Sequence, residues 1–317
     1  MAFGGLRMAL IIKDLVKKYG EKTVVNKLSF EMNNPGVYAL LGTNGAGKTT
    51  SMRIILGILS SDGGTITWNG KENGLKNINL GYLPEERGLY PKSTIFDQLM
   101  YFAKLKGIGA KDAKNLIRKW SEKLELMEYM YPHNAAGKEV SAKKADELSK
   151  GNQQKVQLMA TLISNPEFLI LDEPLSGLDP INSELFKNII KEEINNRKYI
   201  IMSSHQMATV EEFCSDITIL DKGNTVLQGN LDSIKKDYGR VNLSLKVEED
   251  ITSILDTYDL NIINKSASEY SIKLKNPDDG KKLINELVSK DMTVVKYELR
   301  EPTLHEIFIE KVGHEHE

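Results

Sequence analysis

The amino-acid sequence predicts an α/β protein built around a parallel sheet, followed by a smaller α+β unit. Three continuous apolar runs, residues 37–41, 168–171 and 199–202, indicate strands that are covered on both faces. Segments with helical spacing alternate with such runs, as is typical of βα units in a parallel sheet. From residue 241 onward the predicted elements follow the order βαββαβ, which is the order of a ferredoxin-like unit.

The early part of the chain indicates an antiparallel flank on this sheet. Apolar and polar residues alternate at 28–32 and at 65–68, as in strands with one exposed face. The second of these segments ends at Asn69-Gly70, a dipeptide that favours a tight hairpin turn. Residues 94–147 carry only helical spacing, which predicts an inserted helical subdomain at about 94–165.

The C-terminal elements follow from the same two patterns. They are strands at 243–247, 260–263, 270–274 and 294–299, and helices at 251–258, 283–288 and 304–312. The net charge changes from +4 over residues 1–236 to −6 over residues 237–317. Because such a shift often accompanies a change of domain, we predict a domain boundary between residues 236 and 237.

The composition is that of a globular protein, with 40% of the 317 residues hydrophobic and 27% charged. The longest apolar stretches are strand-length, far short of the ~20 residues of a membrane-spanning helix, so any membrane spans must come from other subunits. Cys214 is the single cysteine, which excludes an internal disulfide and a cysteine-rich metal site. The net charge of −2 argues against a nucleic-acid partner.

Residues 42–49 read Gly-Thr-Asn-Gly-Ala-Gly-Lys-Thr and fit the spacing of a phosphate-binding loop between a strand and a helix. Glycines in such a loop let backbone N–H groups turn toward phosphates, with the positive end of the helix behind them. Lys48 adds a charge for the β- and γ-phosphates, Thr49 offers a hydroxyl to Mg²⁺, and Thr50 adds a phosphate contact. The other predicted phosphate-binding residues are Gly42, Thr43, Asn44, Gly45, Ala46 and Gly47.

Two adjacent carboxylates follow the apolar run at 168–171. Asp172 can hold Mg²⁺ through its water shell, because Mg²⁺ prefers hard oxygen ligands and keeps several waters. Glu173 can orient and polarise the water that attacks the γ-phosphate. An Asp-Glu pair alone is more often a surface turn, but here it ends a buried strand and is followed by Pro174.

Three further segments that carry polar or glycine residues follow the glycine loop along the chain. Residues 148–155 read Leu-Ser-Lys-Gly-Asn-Gln-Gln-Lys, residues 176–179 read Ser-Gly-Leu-Asp, and His205 comes just after a predicted strand. They resemble the signature motif, the D-loop and the switch histidine of ABC-type ATPases. The resemblance covers roughly residues 8–232. It implies a P-loop NTPase fold of the ABC ATPase type and points to the nucleotide-binding subunit of an ABC exporter.

The resemblance also implies roles for residues outside the glycine loop. Ser149 and Gly151, at the start of a predicted helix, would meet the γ-phosphate bound to an opposite subunit. Asp179 would lie along the seam between the two subunits. His205 would contact the γ-phosphate, and the catalytic residues would be His205, Lys48 and Glu173. Tyr19 stands where an aromatic ring stacks on adenine.

The sequence departs from the family pattern at three places. Glu85 stands where a glutamine is usual, and its carboxylate is expected to approach Mg²⁺ and the nucleotide. Arg87 can neutralise the charge that Glu85 adds. Lys150 and Asn152 replace the commoner glycine and glutamine of the signature, and both substitutions are compatible with function.

The function that the resemblance implies is ATP binding and hydrolysis by a subunit of an ABC transporter. The implied cofactors are ATP and Mg²⁺. The implied partners are a second ATPase subunit, identical or different, and separate transmembrane permease subunits, which places the chain peripherally at the cytoplasmic face of the cell membrane. Residues 84–91 and 301–308 are similar to those of exporters of the sodium-extrusion and drug-resistance type, so we expect export of ions, drugs or other small solutes.

Another class of function stays open beside this one. The alternative is a soluble ABC-type regulatory ATPase with no transport role. A regulatory nucleotide-binding protein that does not turn ATP over is a further class, and the intact pair Glu173 and His205 argues against it. The sequence does not identify the cargo. It also leaves open whether the C-terminal unit regulates, supports dimerisation or only reinforces the structure, because a ferredoxin-like fold hosts many roles.

Overall fold

The apolar runs of the sequence form two sheets in the first part of the chain. The computed structural model describes residues 10–72, 74–86, 88–258, 260–266 and 269–313. The strands of the first part are β1 (Leu10–Tyr19), β2 (Lys22–Met32), β3 (Gly36–Gly42), β4 (Gly63–Trp68), β5 (Lys71–Glu72), β6 (Leu80–Leu83), β7 (Phe168–Asp172), β8 (Tyr199–Ser203), β9 (Asp216–Asp221) and β10 (Asn224–Asn230). The helices are α1 (Lys48–Ile55), α2 (Ile95–Leu105), α3 (Ala110–Lys123), α4 (Met127–Met130), α5 (Lys150–Leu162), α6 (Pro180–Asn195) and α7 (Met207–Phe213).

The larger sheet has the strand order β10-β9-β3-β8-β7-β6, and the neighbours from β9 to β6 run parallel. β7 and β8 are buried along their whole length, as the continuous apolar runs predict. β3, β8 and β7 are adjacent, so their carboxyl ends lie side by side, with Asp172 paired to Ser203. In open α/β sheets ligands bind at this edge of the strands.

The antiparallel flank forms a second sheet in the order β2-β1-β4-β5. β1 pairs antiparallel with both β2 and β4. Asn69 and Gly70 join β4 to β5 with φ angles of 53° and 74°. Positive φ at both central positions is the geometry of a type I′ turn, so the predicted hairpin is confirmed.

The main core of the first part lies between these two sheets and α1. Trp68 of β4 packs edge-on against Phe168 and Tyr199, with ring centroids 5.4 and 5.0 Å apart. Such aromatic pairs add about 0.5–1.5 kcal/mol each beyond the burial of their surface. Other buried members of this core are Leu15, Val25, Met52 and Ile201. The antiparallel flank is thereby fixed against β7 and β8, the strands whose ends carry polar residues.

Residues 94–165 contain the helices α2, α3, α4 and α5, and the predicted bounds of a helical subdomain stay a prediction. α2 begins after Thr94, whose Oγ1 accepts a hydrogen bond from the Asp97 N–H at 3.1 Å. Within the fully described stretch 94–147, β-structure is limited to two isolated bridges, and no strand forms. Most of residues 134–144 are exposed, and they form a surface connection between α4 and α5.

The second part of the chain forms a four-stranded antiparallel sheet with the order β12-β13-β11-β14. Its elements are α8 (Leu231–Tyr238), β11 (Asn242–Val247), α9 (Thr252–Leu255), β12 (Asn261–Ser266), β13 (Glu269–Lys273), α10 (Pro277–Ser289), β14 (Val294–Arg300) and α11 (Leu304–Val312). From β11 to β14 the order is βαββαβ, so the predicted ferredoxin-like arrangement is confirmed. A separate core, with Leu245, Tyr270 and Leu283 fully or almost fully buried, holds this sheet and its helices together.

One predicted helix of this part is shorter than its sequence pattern indicates. The spacing predicts a helix at 251–258, but α9 covers a single turn. The N–H groups of Thr257 and Tyr258 donate three residues back, to Ile254 and Leu255. Hydrogen bonds of that span belong to the tighter 3₁₀ geometry, which ends an α-helix.

The chain divides into two compact units, the first ending at Gln228 and the second beginning at Gly229. The boundary predicted from the charge change, between residues 236 and 237, falls inside α8 and stays a prediction. In the parts of the chain that the structure describes, no helix combines the length and the apolar character needed to cross a bilayer.

A charged cluster fixes α11 within the second unit. Arg300 donates two hydrogen bonds to the Glu306 carboxylate, at 2.8 and 2.9 Å. Thr303 and Glu306 form a capping box at the start of α11, and Asn242 of β11 donates to the same carboxylate at 2.9 Å. Burial alone would raise the pKa of Glu306, but the hydrogen bonds and the charge of Arg300 lower it to about 2.

We expect Glu306→Gln to lower the free energy of unfolding by about 1–2 kcal/mol at neutral pH. The carboxyl group has a pKa of about 2 in the fold and an ordinary value of 4.5, so its ionised form stabilises the fold above about pH 4.5. That stabilisation is lost as the pH falls toward 2. Solvent screening at this partly exposed group keeps the effect below the ~3 kcal/mol of the full shift.

Urea denaturation followed by circular dichroism, at pH 7 and at about pH 3, measures this effect. The difference between native chain and variant should shrink by more than half at the lower pH. Glu248→Gln, at an exposed carboxylate of the same unit, serves as the control and should leave both curves unchanged. A pH-independent difference would show that Glu306 acts through packing rather than charge.

Candidate functional site

The glycine loop joins β3 to α1 at the carboxyl edge of the parallel sheet. Gly47 is the residue before α1 and has a φ of 103°. A Cβ at this position would lie 2.5 Å from the carbonyl oxygen of Val24, so only glycine fits. The close approach to the antiparallel flank therefore sets the path of the loop and the point where α1 begins.

Lys48 is the first residue of α1, and its side chain turns back over the loop. The residue is 7% exposed, and Nζ donates hydrogen bonds to the carbonyl oxygens of Gly42 at 2.8 Å and Thr43 at 3.1 Å. A buried ammonium group needs such partners, because burying an unpaired charge is very costly. The loop therefore holds a positive charge at the place where the sequence predicts phosphates.

A cavity of about 320 Å³ brings the glycine loop together with two acidic residues from distant segments. Its lining residues are Val24, Asn44, Gly45, Gly47, Lys48, Thr49, Thr50, Glu85 and Glu173. Gly42, Thr43 and Ala46 belong to the same loop but are not among these residues. Most of the phosphate-binding residues that the sequence predicts thus share one cavity with the predicted catalytic carboxylate.

Asp172 ends β7 and is 1% exposed. The Ser203 hydroxyl donates to Asp172 Oδ1 at 2.6 Å. Oδ2 is also buried, but it makes no hydrogen bond within the described part of the chain. A buried carboxylate oxygen without a partner is costly in free energy, and a cation or its water shell would satisfy it.

These residues fit the Mg²⁺ that the sequence implies. Mg²⁺ binds through one or two carboxylates, substrate phosphates and several waters. Asp172 supplies one buried carboxylate, Thr49 supplies a hydroxyl in the cavity, and Glu85 supplies a second carboxylate there. Over the described ranges no group of three or more His, Cys, Asp or Glu side chains could hold a metal by itself, so a protein-only metal cage is not formed there.

Glu173 and His205 form a pair across the ends of β7 and β8. Glu173 Oε2 lies 2.7 Å from His205 Nδ1 and also accepts the His205 backbone N–H at 3.3 Å. Because a carboxylate only accepts, Nδ1 carries the proton of this bond, which leaves Nε2 as the ring nitrogen for a ligand. Glu173 is 7% exposed and has a φ of 49°, an uncommon conformation that functional sites often contain.

Glu85 lies in the segment after β6, and its side chain is exposed in the cavity wall. The structure therefore brings Glu85 close to the glycine loop, as the sequence predicts, although its role toward Mg²⁺ stays a prediction. Arg87, which we expected to offset its charge, lies outside the described residues.

Tyr19 does not line the cavity. It is the last residue of β1 and is 52% exposed, and Lys17 Nζ lies 5.5 Å from the centre of its ring. An exposed aromatic ring is available to stack on a base. That role stays a prediction.

The signature residues lie away from the cavity, at the start of α5. Ser149 comes directly before a helix, as the sequence predicts, and its hydroxyl caps that helix by accepting the Asn152 N–H at 3.2 Å. Gly151 lies beside the side-chain amide of Asn182 in α6. Asp179 caps α6 and accepts the Asn182 N–H at 2.9 Å, which lowers the pKa of its carboxyl. The signature and the D-loop are therefore neighbours of each other.

Helix α5 nevertheless makes hydrogen bonds to both segments that supply carboxylates to the cavity, those of Glu85 and Glu173. The Gln154 side chain donates to the Pro174 carbonyl at 2.9 Å, next to Glu173. The Gln157 side chain donates to the Glu86 carbonyl at 3.0 Å, next to Glu85. Movement at either carboxylate segment can therefore be transmitted to the helix that begins with the signature.

Sequence reasoning missed two residues of this site. Ser203 contacts Asp172 and Glu173, and Val24 of β2 lines the cavity. The polar Ser203 at the end of an apolar run, next to the strand that carries the carboxylates, was the pattern that could have revealed it. Nothing local marks Val24, since only the packing of the antiparallel flank brings it to the loop.

Comparison with known families gives a match in each part of the chain. Residues 25–176 match the family described as ABC transporter. Residues 229–312 match the family described as ATP-binding protein DrrA1-3-like, C-terminal domain. The second match begins at the residue where the second compact unit begins.

Individual proteins are similar over most of the chain. The chain is 40% identical to the uncharacterized ABC transporter ATP-binding protein YhaQ of Bacillus subtilis, over 96% of this chain and 98% of that protein. It is 29% identical to the linearmycin resistance ATP-binding protein LnrL of the same organism, over 95% of this chain and 97% of that one. A solved structure of the ATP-binding subunit of an ABC transporter has a TM-score of 0.63 at 27% identity, covering 73% of this chain and 93% of that chain.

We expect Tyr19→Ala to weaken ATP binding by about 5- to 150-fold, because stacking of a base on an aromatic ring contributes ~1–3 kcal/mol. Tyr19→Trp should retain the affinity, since it keeps a π-face at the same exposed position. Isothermal titration with a non-hydrolysable ATP analogue measures both variants. Tyr101→Ala, at an exposed tyrosine on α2, is the control. Equal affinity for Tyr19→Ala and the native chain would show that Tyr19 does not stack on the base.

Proposed function

The chain belongs to the family of ABC transporter ATP-binding proteins, and from this membership we propose that it hydrolyses ATP to energise an exporter. One observation carries the proposal: Glu173 shares the glycine-loop cavity with Lys48 and Thr49 and is held there by His205. A binding-only protein needs the loop but not a buried carboxylate aimed at the same space. Fold alone would not justify this step, because function resides in the site.

The glycine loop and the start of α1 are the elements that would bind the nucleotide. Backbone N–H groups of the loop and the positive end of α1 attract the phosphates, and Lys48 adds a full charge. Asp172, Thr49 and Glu85 are the residues that would hold Mg²⁺. When bound, the ion neutralises developing charge on the β- and γ-phosphate oxygens.

Hydrolysis requires an oriented water, and Glu173 is the residue we assign to that task. Its carboxylate is fixed by two hydrogen bonds from His205 and reaches the cavity that the loop lines. It can accept a proton from the attacking water, an effect worth typically 10²- to 10⁴-fold in rate. His205 keeps Nε2 for the γ-phosphate, which would couple the presence of that phosphate to the position of Glu173.

A second ATPase subunit would complete the site. Ser149, Gly151 and Asp179 do not line the cavity, although the family's signature acts on ATP. Ser149 and Asp179 are exposed, and each caps a helix N-terminus, where anions are favoured. Two-fold pairing would bring the signature of one subunit to the nucleotide of the other, and ATP bound between them would stabilise the pair.

Separate membrane subunits are the partners that the family implies. The first unit has an open groove of about 520 Å³ between β6 and helices α2 and α5, with mostly apolar walls. Its apolar lining includes Leu80, Tyr82, Leu89, Phe102 and Leu105. A concave apolar surface of this size is suited to a short segment of a partner protein, and it adjoins the Glu85 segment. We assign this groove to a permease subunit, and we propose that the chain works at the cytoplasmic face of the membrane.

Export is the direction we favour. LnrL is similar over nearly the whole chain and is named for resistance to linearmycin. Removal of a toxic compound from the cell is one way to resist it. The same similarity includes the second unit, whose family is named after the ATP-binding protein DrrA. The identity of the cargo depends on the permease and not on the residues of this chain.

We expect Glu173→Gln to lower ATP turnover by at least about 100-fold while ATP binding is retained, because the amide cannot accept the proton of water. The variant should form a stable dimer with ATP and Mg²⁺, since bound nucleotide is no longer consumed. Phosphate release and light scattering after size exclusion measure the two effects.

Glu139→Gln, at an exposed position of the helical part, is the matched control and should behave as the native chain does. Native-level turnover in Glu173→Gln would remove this residue from catalysis. A monomeric variant in the presence of ATP would contradict the shared site.

A further inference from the structure

We propose that Ser203 is a positioning residue for both carboxylates of the site, selecting which oxygen of Asp172 faces the metal and holding the backbone of Glu173. The proposal rests on the proposed function, and it concerns a residue outside the glycine loop, the signature and the switch histidine. The evidence for the proposal is the buried Ser203 hydroxyl, which makes one hydrogen bond to each of the two residues.

Ser203 is the last residue of β8, and it pairs in register with Asp172, the last residue of β7. It is 0% exposed. Its hydroxyl lies 2.6 Å from Asp172 Oδ1 and 2.9 Å from the backbone nitrogen of Glu173. The parallel register, and not sequence proximity, creates this contact, since 31 residues separate Ser203 from Asp172.

The chemistry of the groups fixes the direction of both hydrogen bonds. The Glu173 N–H can only donate, so the hydroxyl oxygen accepts it. The single hydroxyl proton is then free to go to Asp172 Oδ1, which as a carboxylate oxygen can only accept. Ser203 thus satisfies one acceptor and one donor at the same time.

This arrangement gives the two oxygens of the Asp172 carboxylate different roles. Oδ1 is committed to Ser203, while Oδ2 is buried and makes no hydrogen bond in the described chain. The lone pairs of Oδ2 are therefore the ones reserved for a cation or its water shell. A carboxylate that could rotate would offer either oxygen and would present a less defined ligand.

The second bond acts on Glu173. Its φ of 49° is uncommon for a residue with a side chain, and such a conformation persists only when the surroundings fix it. Ser203 holds its N–H, and His205 holds its carboxylate at 2.7 Å. Two residues from the end of β8 therefore fix the backbone and the side chain of the predicted base separately.

The test compares Ser203→Ala, which removes the hydroxyl, with Ser203→Thr, which keeps it. Ser121→Ala is the matched control, because Ser121 is equally buried and its hydroxyl bonds only to Ile117 within α3. Three quantities are measured for each: affinity for a non-hydrolysable ATP analogue in EDTA, affinity for Mn²⁺ in the presence of that analogue by electron paramagnetic resonance, and turnover as a function of Mg²⁺ concentration.

For Ser203→Ala we expect unchanged nucleotide affinity in EDTA and a loss of Mn²⁺ affinity of about 10- to 100-fold, the usual effect of removing a residue that orients a metal ligand. Turnover should fall and recover in part at high Mg²⁺. Ser203→Thr should stay within about threefold of the native chain, and Ser121→Ala should match it.

Two results would overturn the proposal. One is a Mn²⁺ affinity of Ser203→Ala equal to that of the native chain. The other is loss of nucleotide affinity in EDTA, which would make Ser203 a residue of the fold rather than of metal positioning. If the native chain itself bound no metal–nucleotide pair, the proposed function would fail instead, and the native measurement separates the two cases.

Discussion

The structure depends on a parallel sheet whose central strands are covered on both faces. β7 and β8 offer no exposed surface, so polar groups can emerge only where the strands end. The glycine loop, Asp172, Glu173 and His205 all lie at this carboxyl edge. Their proximity follows from the adjacency of β3, β8 and β7, because parallel neighbours end at the same side.

Three buried charged side chains lie at this edge, and each has hydrogen-bond partners in the protein. Lys48 bonds to loop carbonyls, Asp172 to Ser203, and Glu173 to His205. One oxygen of Asp172 remains without a partner in the described chain. Buried polar networks rigidify a site when they are complete, and this one has a remaining capacity that a metal–nucleotide pair can fill.

The signature helix relates this edge to a second surface. In the middle of α5, the side chains of Gln154 and Gln157 donate hydrogen bonds to carbonyls next to Glu173 and Glu85. At its start, the Ser149 hydroxyl caps the helix and does not line the cavity. Helix α5 therefore contacts the segments that carry Glu85 and Glu173, while the signature residues at its start lie outside the cavity that these carboxylates line. The second unit has its own core and its own family match, and its ferredoxin-like fold does not by itself assign a role.

The sequence by itself determined the contiguous features. These features are the loop at 42–49, the Asp172-Glu173 pair after an apolar run, the helix that begins after Ser149 and the βαββαβ order. Each depends on neighbouring residues, where local geometry decides the outcome. Only the tertiary structure decided which distant groups meet. Ser203 reaches Asp172 through strand register, and Glu85 reaches the loop through the position of β6. The early end of α9 is instead a local feature, set by 3₁₀ hydrogen bonds that the residue spacing does not reveal. The physical reason is that side-chain patterns report which face is buried, whereas register and packing choose the partner on the other side.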